Sequence, residues 1–144
     1  MTDVDMIPDK DSCLATLRTR IQGEPIASFL NIKVLEISPG YARVSMKMRP
    51  EYLNFNGVVF GGIISAVADH AFSLAINSLS LPSLSTQFNI HLLASAAADD
   101  ELVGEGKVLR SGKRVGITEM TVTNQNGKLI AKATGTTIPV EKGK

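Results

Sequence analysis

The sequence predicts an α+β protein in which an antiparallel sheet packs one face against a single long helix. Segments before and after this helix alternate between apolar and polar residues with the period of two that is typical of strands, and turn-forming residues separate them. The helix itself is predicted by apolar residues at helical spacing, namely Ile64, Val67, Ala68, Ala71, Phe72, Ala75, Ile76 and Leu79.

The N-terminal part of the chain is expected to contain two short helices and two strands. Residues 1–11 are predicted to be mobile, and residues 12–144 to form one domain. Ser12 is a suitable cap for the first helix and Gly23 a suitable end, while Pro25 can open the second. In chain order the expected elements are helix 12–23, helix 25–30, strand 32–37, a turn at Ser38-Pro39-Gly40 and strand 41–48.

After the long helix we expect three or four further strands, which makes about five in the sheet. Asn126-Gly127 is a strong hairpin signal, and Ser111-Gly112 marks another turn. The candidate strands are 85–93, 102–110, 115–124 and 129–140. In the first of them, strict alternation assigns Thr86, Phe88, Ile90 and Leu92 to one face, and Ser85, Gln87, Asn89 and His91 to the other.

Composition excludes several classes of function. The formal net charge of +1 gives no general case for binding nucleic acid or an anionic membrane. Residues 70–98 lack Asp, Glu, Lys and Arg, but their polar residues and Pro82 argue against a membrane span. The single cysteine, Cys13, suits a reducing compartment, and the acidic N-terminus is not that of a signal peptide. We therefore expect a cytoplasmic protein.

The start of the long helix has the features of an acyl-transfer site. Gly61 and Gly62 leave backbone N–H groups open to a ligand at the positive end of the helix dipole, and Asp69 follows about two turns later. Two other interpretations remain. A Gly-Gly pair also suits a tight turn and close packing, and the Asp69 carboxylate could be satisfied by Ser65 or Ser73, one turn away on either side.

This region matches a motif of the acyl-CoA thioesterases of the phenylacetate-degradation (PaaI-like) type. The residues that match in identity and spacing are Asn54, Gly61, Gly62 and Asp69. The chain resembles that family over residues 28–138. It departs from the motif at Phe60, where the family has His. The resemblance implies the hotdog fold, in which the sheet wraps around the helix. It also implies hydrolysis of an acyl-CoA thioester to a free acid and coenzyme A.

The resemblance further implies roles for single residues and an assembly. Asp69 would act as general base or nucleophile, Gly61 would bind the thioester carbonyl, Asn54 would hold the site, and Ser85 would position water or the acid. In the family, two subunits pair into a homodimer, often doubled to a tetramer. The helix-start donors of one subunit then face the acid of the other. On this basis we expect the 85–93 strands of two copies to pair.

Substrate contacts are expected from Phe60, which could wall an acyl pocket, and from Gly62 beside it. Three cations at the turn after strand 102–110 are candidates for the phosphates of coenzyme A, as basic residues in this region are in the family. A solvated turn is an equally good explanation for them. These cations are Arg110, Lys113 and Arg114.

Three classes of function remain in view. The first is the thioesterase. The second is a non-catalytic protein that binds an acyl thioester or a small aromatic ligand, which Phe60 would favour. The third is an enoyl-thioester hydratase, which needs an Asp–His pair. His70 points about 100° away from Asp69 around the helix, so the two should not pair. Neither His70 nor His91 has a second ligand at metal spacing, and we expect no metal and no cofactor.

Overall fold

The computed structural model describes residues 10–140. The predicted mobile segment 1–11 lies outside the described residues except for Lys10 and Asp11, which belong to the first helix. Ser12 therefore lies inside that helix, and its predicted role as N-cap is wrong. The elements are α1 (Lys10–Arg20), α2 (Pro25–Leu30), β1 (Ile32–Ser38), β2 (Tyr41–Lys47), a 3-10 turn (Pro50–Tyr52), α3 (Gly61–Asn77), β3 (Ser83–Leu92), β4 (Glu101–Ser111), β5 (Gly116–Thr123) and β6 (Leu129–Pro139).

The strands form one antiparallel sheet of six strands in the order β1-β2-β4-β5-β6-β3. All six candidate segments form strands, which is the upper end of the expected number. Both β1 and β3 lie at an edge of the sheet. The helix α3 lies across the inner face of the sheet and buries Phe72, Ile76 and Val67 there. The predicted α+β fold, a sheet wrapped around one long helix, is confirmed.

Glycines on the inner face of the sheet allow α3 to approach the strand backbone closely. A Cβ placed on Gly106 would lie 2.7 Å from the carbonyl oxygen of Ala71, and one on Gly104 would lie 2.8 Å from that of Val67. Real side chains do not approach backbone atoms so closely, so α3 can lie at this depth only against glycine. This contact fixes the height of α3, and therefore of Asp69, above the sheet.

The turns that local sequence predicted are present. Gly40 and Gly127, with φ of +76° and +77°, join β1 to β2 and β5 to β6. The end of α3 is tied to the next strand, because the Asn77 side-chain oxygen accepts the Ser83 N–H at 2.8 Å. That bond holds the start of β3 beside the helix. None of the helices within residues 10–140 is long and apolar enough to cross a membrane.

Strand β3 departs from strict alternation at Thr86. Ser85 pairs with Thr137 and Gln87 pairs with Thr136, which leaves Thr86 as the extra residue of a β-bulge. Directly opposed residues of two antiparallel strands point to the same face. Ser85 therefore shares the inner face with Thr137, which is 1% exposed. The prediction that Ser85 lies on the face opposite Phe88 is wrong, since Phe88 opposes the buried Gly135.

Candidate active site

The loop before α3 is shaped by Asn54. Its side-chain oxygen accepts the N–H of Asn56 at 2.9 Å and that of Val58 at 3.4 Å. The loop then turns through Gly57, whose φ is +76°. Because the oxygen of Asn54 is engaged in this turn, the side-chain NH₂ is the group that remains to donate to a ligand. Asn54 can therefore shape this turn and still donate to a ligand.

The first N–H groups of α3 are available for a ligand. Phe60 is the N-cap residue and supplies no side-chain hydrogen bond to the helix start. The N–H groups of Val59 and Phe60 are held by the carbonyls of Ala96 and Tyr52. No group of the described residues accepts the Gly61 N–H. Gly61 opens onto a cleft of about 390 Å³, lined by Asn54, Val58, Val59, Gly61, Ile64, Leu92, Leu93, Ala94 and Ser95.

Phe60 takes a position that the sequence did not predict. Its side chain is 58% exposed. The ring lies against Gly62, because a Cβ placed on Gly62 would be 2.5 Å from a ring carbon. Within residues 10–140, Phe60 lines neither this cleft nor the cleft that contains Asp69. Within one chain, therefore, Phe60 covers the second glycine and does not wall a pocket.

Asp69 lies in a second cleft of about 320 Å³, between α3 and the edges of the fold. Contrary to expectation, the residue is exposed. No group of residues 10–140 donates a hydrogen bond to its carboxylate, and the hydroxyl of Ser65 instead donates to the Gly61 carbonyl at 3.0 Å. The Ser65 and Ser73 explanation for this acid therefore fails. The cleft is lined by Glu24, Ile26, Leu30, Ile32, Ala66, Asp69, His70, Ser73, Ser83, Leu84 and Ser85.

The surroundings of the Asp69 carboxylate shift its protonation. Although the Asp69 residue is open to solvent on one side, the surrounding cleft partly desolvates its carboxylate and raises the pKa of Asp69, and the neighbouring His70 imidazole opposes this shift. A carboxylate with a raised pKa is a stronger base than an ordinary aspartate. The bulge in β3 turns Ser85 toward the same cleft. An acid without a hydrogen-bond donor beside a hydroxyl can hold and activate a water molecule.

The four predicted catalytic residues thus fall into two groups within one chain. Asn54 and Gly61 share one cleft, and Asp69 and Ser85 share the other. Asp69 follows Gly61 by eight residues, which is about 12 Å along a helix axis. One thioester carbonyl cannot contact both groups across that distance.

His70 and Glu24 form a pair that the sequence analysis missed. Their Nε2 and Oε1 atoms are 2.7 Å apart, and the His70 side chain is 7% exposed. As predicted, His70 does not pair with Asp69. The two partners are 46 residues apart, so no local pattern predicts the contact. One weak signal was present: Glu24 is the N-cap residue of α2, a position where Ser, Thr, Asp and Asn are preferred.

The basic turn lies at the Ser85 end of the sheet. Ser111 pairs with Gly116, which pairs with Thr137, which pairs with Ser85. Three strand spacings, about 14 Å, therefore separate the start of this turn from Ser85. Its cations line neither cleft and are all exposed, namely Arg110, Lys113 and Arg114. Over the part of the chain that the structure describes, no group of three or more His, Cys, Asp and Glu side chains could hold a metal ion.

Comparison with known proteins identifies the family to which this chain belongs. The model of the thioesterase superfamily matches residues 56–131. A protein of Archaeoglobus fulgidus, named for an expected esterase activity, is 36% identical over 121 residues, which cover 84% of this chain and 79% of that protein. The chain belongs to the thioesterase superfamily. It is also 29% identical to acyl-coenzyme A thioesterase PaaI of Escherichia coli, over 76% of this chain and 79% of PaaI.

Solved structures agree with this assignment. The structure of Escherichia coli PaaI, a protein of the phenylacetic acid degradation operon, superposes with a TM-score of 0.85 at 26% identity and covers 90% of this chain and 94% of PaaI. A Streptococcus pneumoniae protein described as a hypothetical thioesterase was solved with coenzyme A. It superposes with a TM-score of 0.78 at 26% identity, over 85% of this chain and 95% of that one.

Proposed function

We propose that this protein hydrolyses acyl-CoA thioesters to a free acid and coenzyme A. The observation that carries the proposal is Asp69, an acid with a raised pKa that accepts no hydrogen bond from residues 10–140, in the same cleft as Ser85 in a thioesterase-superfamily chain. The name of the PaaI relative and the coenzyme A in the Streptococcus pneumoniae neighbour support this substrate class. The single thiol, that of Cys13, is free and buried, which supports a cytoplasmic location.

The site is completed by a second copy of the chain. The outer edge of β3 has no partner strand within the described residues. Ser85, near the start of β3, lines the Asp69 cleft, whereas Leu92, at its end, lines the Gly61 cleft. Antiparallel pairing of two β3 strands about a two-fold axis places the start of one strand beside the end of the other. The Asp69 cleft of one protomer then adjoins the Gly61 cleft of its partner. Two such dimers form a tetramer.

In this arrangement each residue has one role. The Gly61 N–H and the Asn54 NH₂ of one protomer bind the thioester oxygen, and their bonds strengthen as negative charge develops there. Asp69 of the other protomer, acting as base, removes a proton from a water held by Ser85. The water oxygen bonds to the acyl carbon, the carbon–sulfur bond breaks, and the proton passes to the thiolate of coenzyme A. Alternatively, the Asp69 carboxylate attacks first, and water cleaves the resulting anhydride.

Substrate binding outside the reacting atoms is assigned to three surfaces. Apolar side chains around the Asp69 cleft, such as Ile26 and Leu84, receive the acyl group. Phe60, lying over Gly62, borders the acyl group from the partner's side. The phosphates of coenzyme A bind the basic turn of Arg110, Lys113 and Arg114.

The decisive experiment measures thiol release from a series of acyl-CoAs by the wild type and by Asp69→Asn. We expect kcat to fall at least roughly a hundredfold in the variant, because the amide keeps the shape of the carboxylate but is not basic. Asp99→Asn, which changes an exposed acid outside both clefts, is the control and should keep wild-type turnover. Unchanged turnover in folded Asp69→Asn would refute the assigned role of the acid.

A binding protein without catalysis is the second candidate, and it is favoured by Phe60 in place of a polar residue. Tight binding of acyl-CoA without thiol release would identify it. The hydratase hypothesis loses support. His70 has an acidic partner in Glu24, but its Nε2 faces that partner and its Nδ1 is buried without one among the described residues. Within residues 10–140, neither nitrogen of His70 is therefore open to contact a double bond beside Asp69.

A further inference from the structure

The Glu24–His70 pair joins the weakly held helix α2 to the centre of the fold. No residue of α2 is buried, and Phe29 is 79% exposed. Apart from the 2.7 Å contact of Glu24, the described side-chain hydrogen bonds include only one from the rest of the chain to residues 24–30, from Tyr52 to the Leu30 carbonyl at 3.4 Å. Only Ala27 and Leu30 of this helix pack, partly buried, against the core. Because this apolar burial is small, the polar contacts add substantially to what holds α2 in position.

The same helix forms one wall of the Asp69 cleft. Ile26 and Leu30 line the cleft from α2, opposite Leu84 of β3, and α3 forms the floor. Glu24 precedes α2 directly and reaches across to His70, which also lines the cleft. The pair therefore sets how far the α2 wall stands from the floor that bears Asp69.

We infer that Glu24 and His70 determine acyl specificity by holding α2 as the far wall of the acyl cleft, a role that rests on the proposed thioesterase function. The group that contacts this wall is an apolar acyl chain long enough to reach Ile26 and Leu30. An acetyl group is too short to reach the wall and does not depend on it. Glu24 and His70 are thus positioning residues, and neither touches the reacting atoms.

The first test asks whether the pair holds α2. Hydrogen exchange of residues 24–31 should be faster in Glu24→Ala than in the wild type, whereas the exchange rates of α3 and β3 should be unchanged. Glu24→Gln keeps an oxygen that accepts the Nε2–H and should restore slow exchange. Glu36→Ala, which removes an exposed acid paired with Arg43 at 3.9 Å, is the matched control. Wild-type exchange in Glu24→Ala would overturn the inference.

The second test asks whether the wall selects the acyl group, and it does not need turnover. In the Asp69→Asn background, calorimetry compares the binding of hexanoyl-CoA and acetyl-CoA. We expect Glu24→Ala to weaken hexanoyl-CoA binding by about tenfold, the scale of one lost hydrogen bond, and acetyl-CoA binding by less than about twofold. Equal effects on both ligands would overturn the inference. Failure of the wild type to release thiol would refute the proposed function and leave these two tests valid.

Discussion

The two glycines at the start of α3 have different neighbours. A Cβ on Gly61 would lie 2.7 Å from the Cδ1 of Leu92, so the tip of this β3 side chain packs over Gly61 and would have to shift for a larger residue. A Cβ on Gly62 would meet the ring of Phe60. Only Gly61 has an additional chemical role in the proposed mechanism, as the donor to the thioester oxygen. The two roles of Gly61, packing and donation, can be separated by substitution.

Gly61→Pro tests the donor role directly. Proline removes the N–H, yet it is tolerated at the first position of a helix, and the backbone of Phe60, with φ of −56° and ψ of 131°, suits a residue before proline. We expect kcat for thiol release to fall about 10²- to 10³-fold. Gly61→Ala adds the same Cβ against Leu92 but keeps the N–H, and it should lose less than about tenfold. Equal losses in both variants would show that packing, and not donation, explains the glycine.

Phe60→His tests why this chain departs from the motif. If the exposed ring contacts the acyl group in the dimer, histidine should raise KM for the preferred acyl-CoA roughly three- to tenfold, because apolar contact is lost, without raising kcat. Thermal unfolding must show that the variant is folded. A clear rise in kcat at unchanged KM would contradict this expectation and would mean that a missing polar group limits the wild type.

The resemblance to a family motif identified Asn54, Gly61 and Asp69 as candidate site residues, and it could do so because they lie in one continuous segment. Sequence patterns did not indicate the Glu24–His70 pair, since that contact is made by tertiary packing. They also misplaced Ser85. The bulge at Thr86 depends on how β3 pairs with β6, and that pairing is not encoded within β3 itself.

Among the elements, the contact between α3 and β4 is sensitive to added volume because backbone faces backbone there. Gly106→Ala places a methyl group against the backbone oxygen of Ala71, which cannot rotate away. We expect a loss of about 1–3 kcal/mol in the free energy of unfolding, measured by urea titration. Lys107→Ala, at the exposed neighbouring position on β4, is the control and should cost less than about 0.5 kcal/mol. Equal stability of Gly106→Ala and the wild type would contradict the close approach.

The elements were predicted better than their arrangement. Alternating residues and turn signals identified the strands, and the hairpins β1–β2, β4–β5 and β5–β6 follow from short local connections. The placement of β3 at the edge beside β6, and of β4 beside β2, could not be predicted from such signals. It depends on where α3 crosses the sheet, which is a property of the packed molecule.

At the scale of the assembly, the proposed shared site predicts complementation between two inactive chains. Asp69→Asn lacks the acid and Gly61→Pro lacks the donor. A mixed dimer has one site with both groups intact and one site with neither. Random pairing of equal amounts makes half of the dimers mixed, so thiol release should recover to about a quarter of wild type.

The complementation assay needs chains that exchange partners, for example by co-expression, and light scattering at micromolar concentration to establish the dimer. Each variant paired with itself provides the background. A monomer by light scattering, or a mixture no more active than the two variants measured apart, would mean that one chain contains a whole site. In that case the separation of about 12 Å between Gly61 and Asp69 along the helix would require a different donor for the thioester oxygen.

Strand β3 lines both clefts, and its free edge is the proposed junction between copies. Association and catalytic competence would then be a single equilibrium. At concentrations far below the dissociation constant of the dimer, the observed rate should rise with the square of total protein, and above it in direct proportion. A fully folded chain would then be inactive when dilute. The dependence of the rate on protein concentration therefore reports how strongly the two β3 strands pair through their backbone hydrogen bonds.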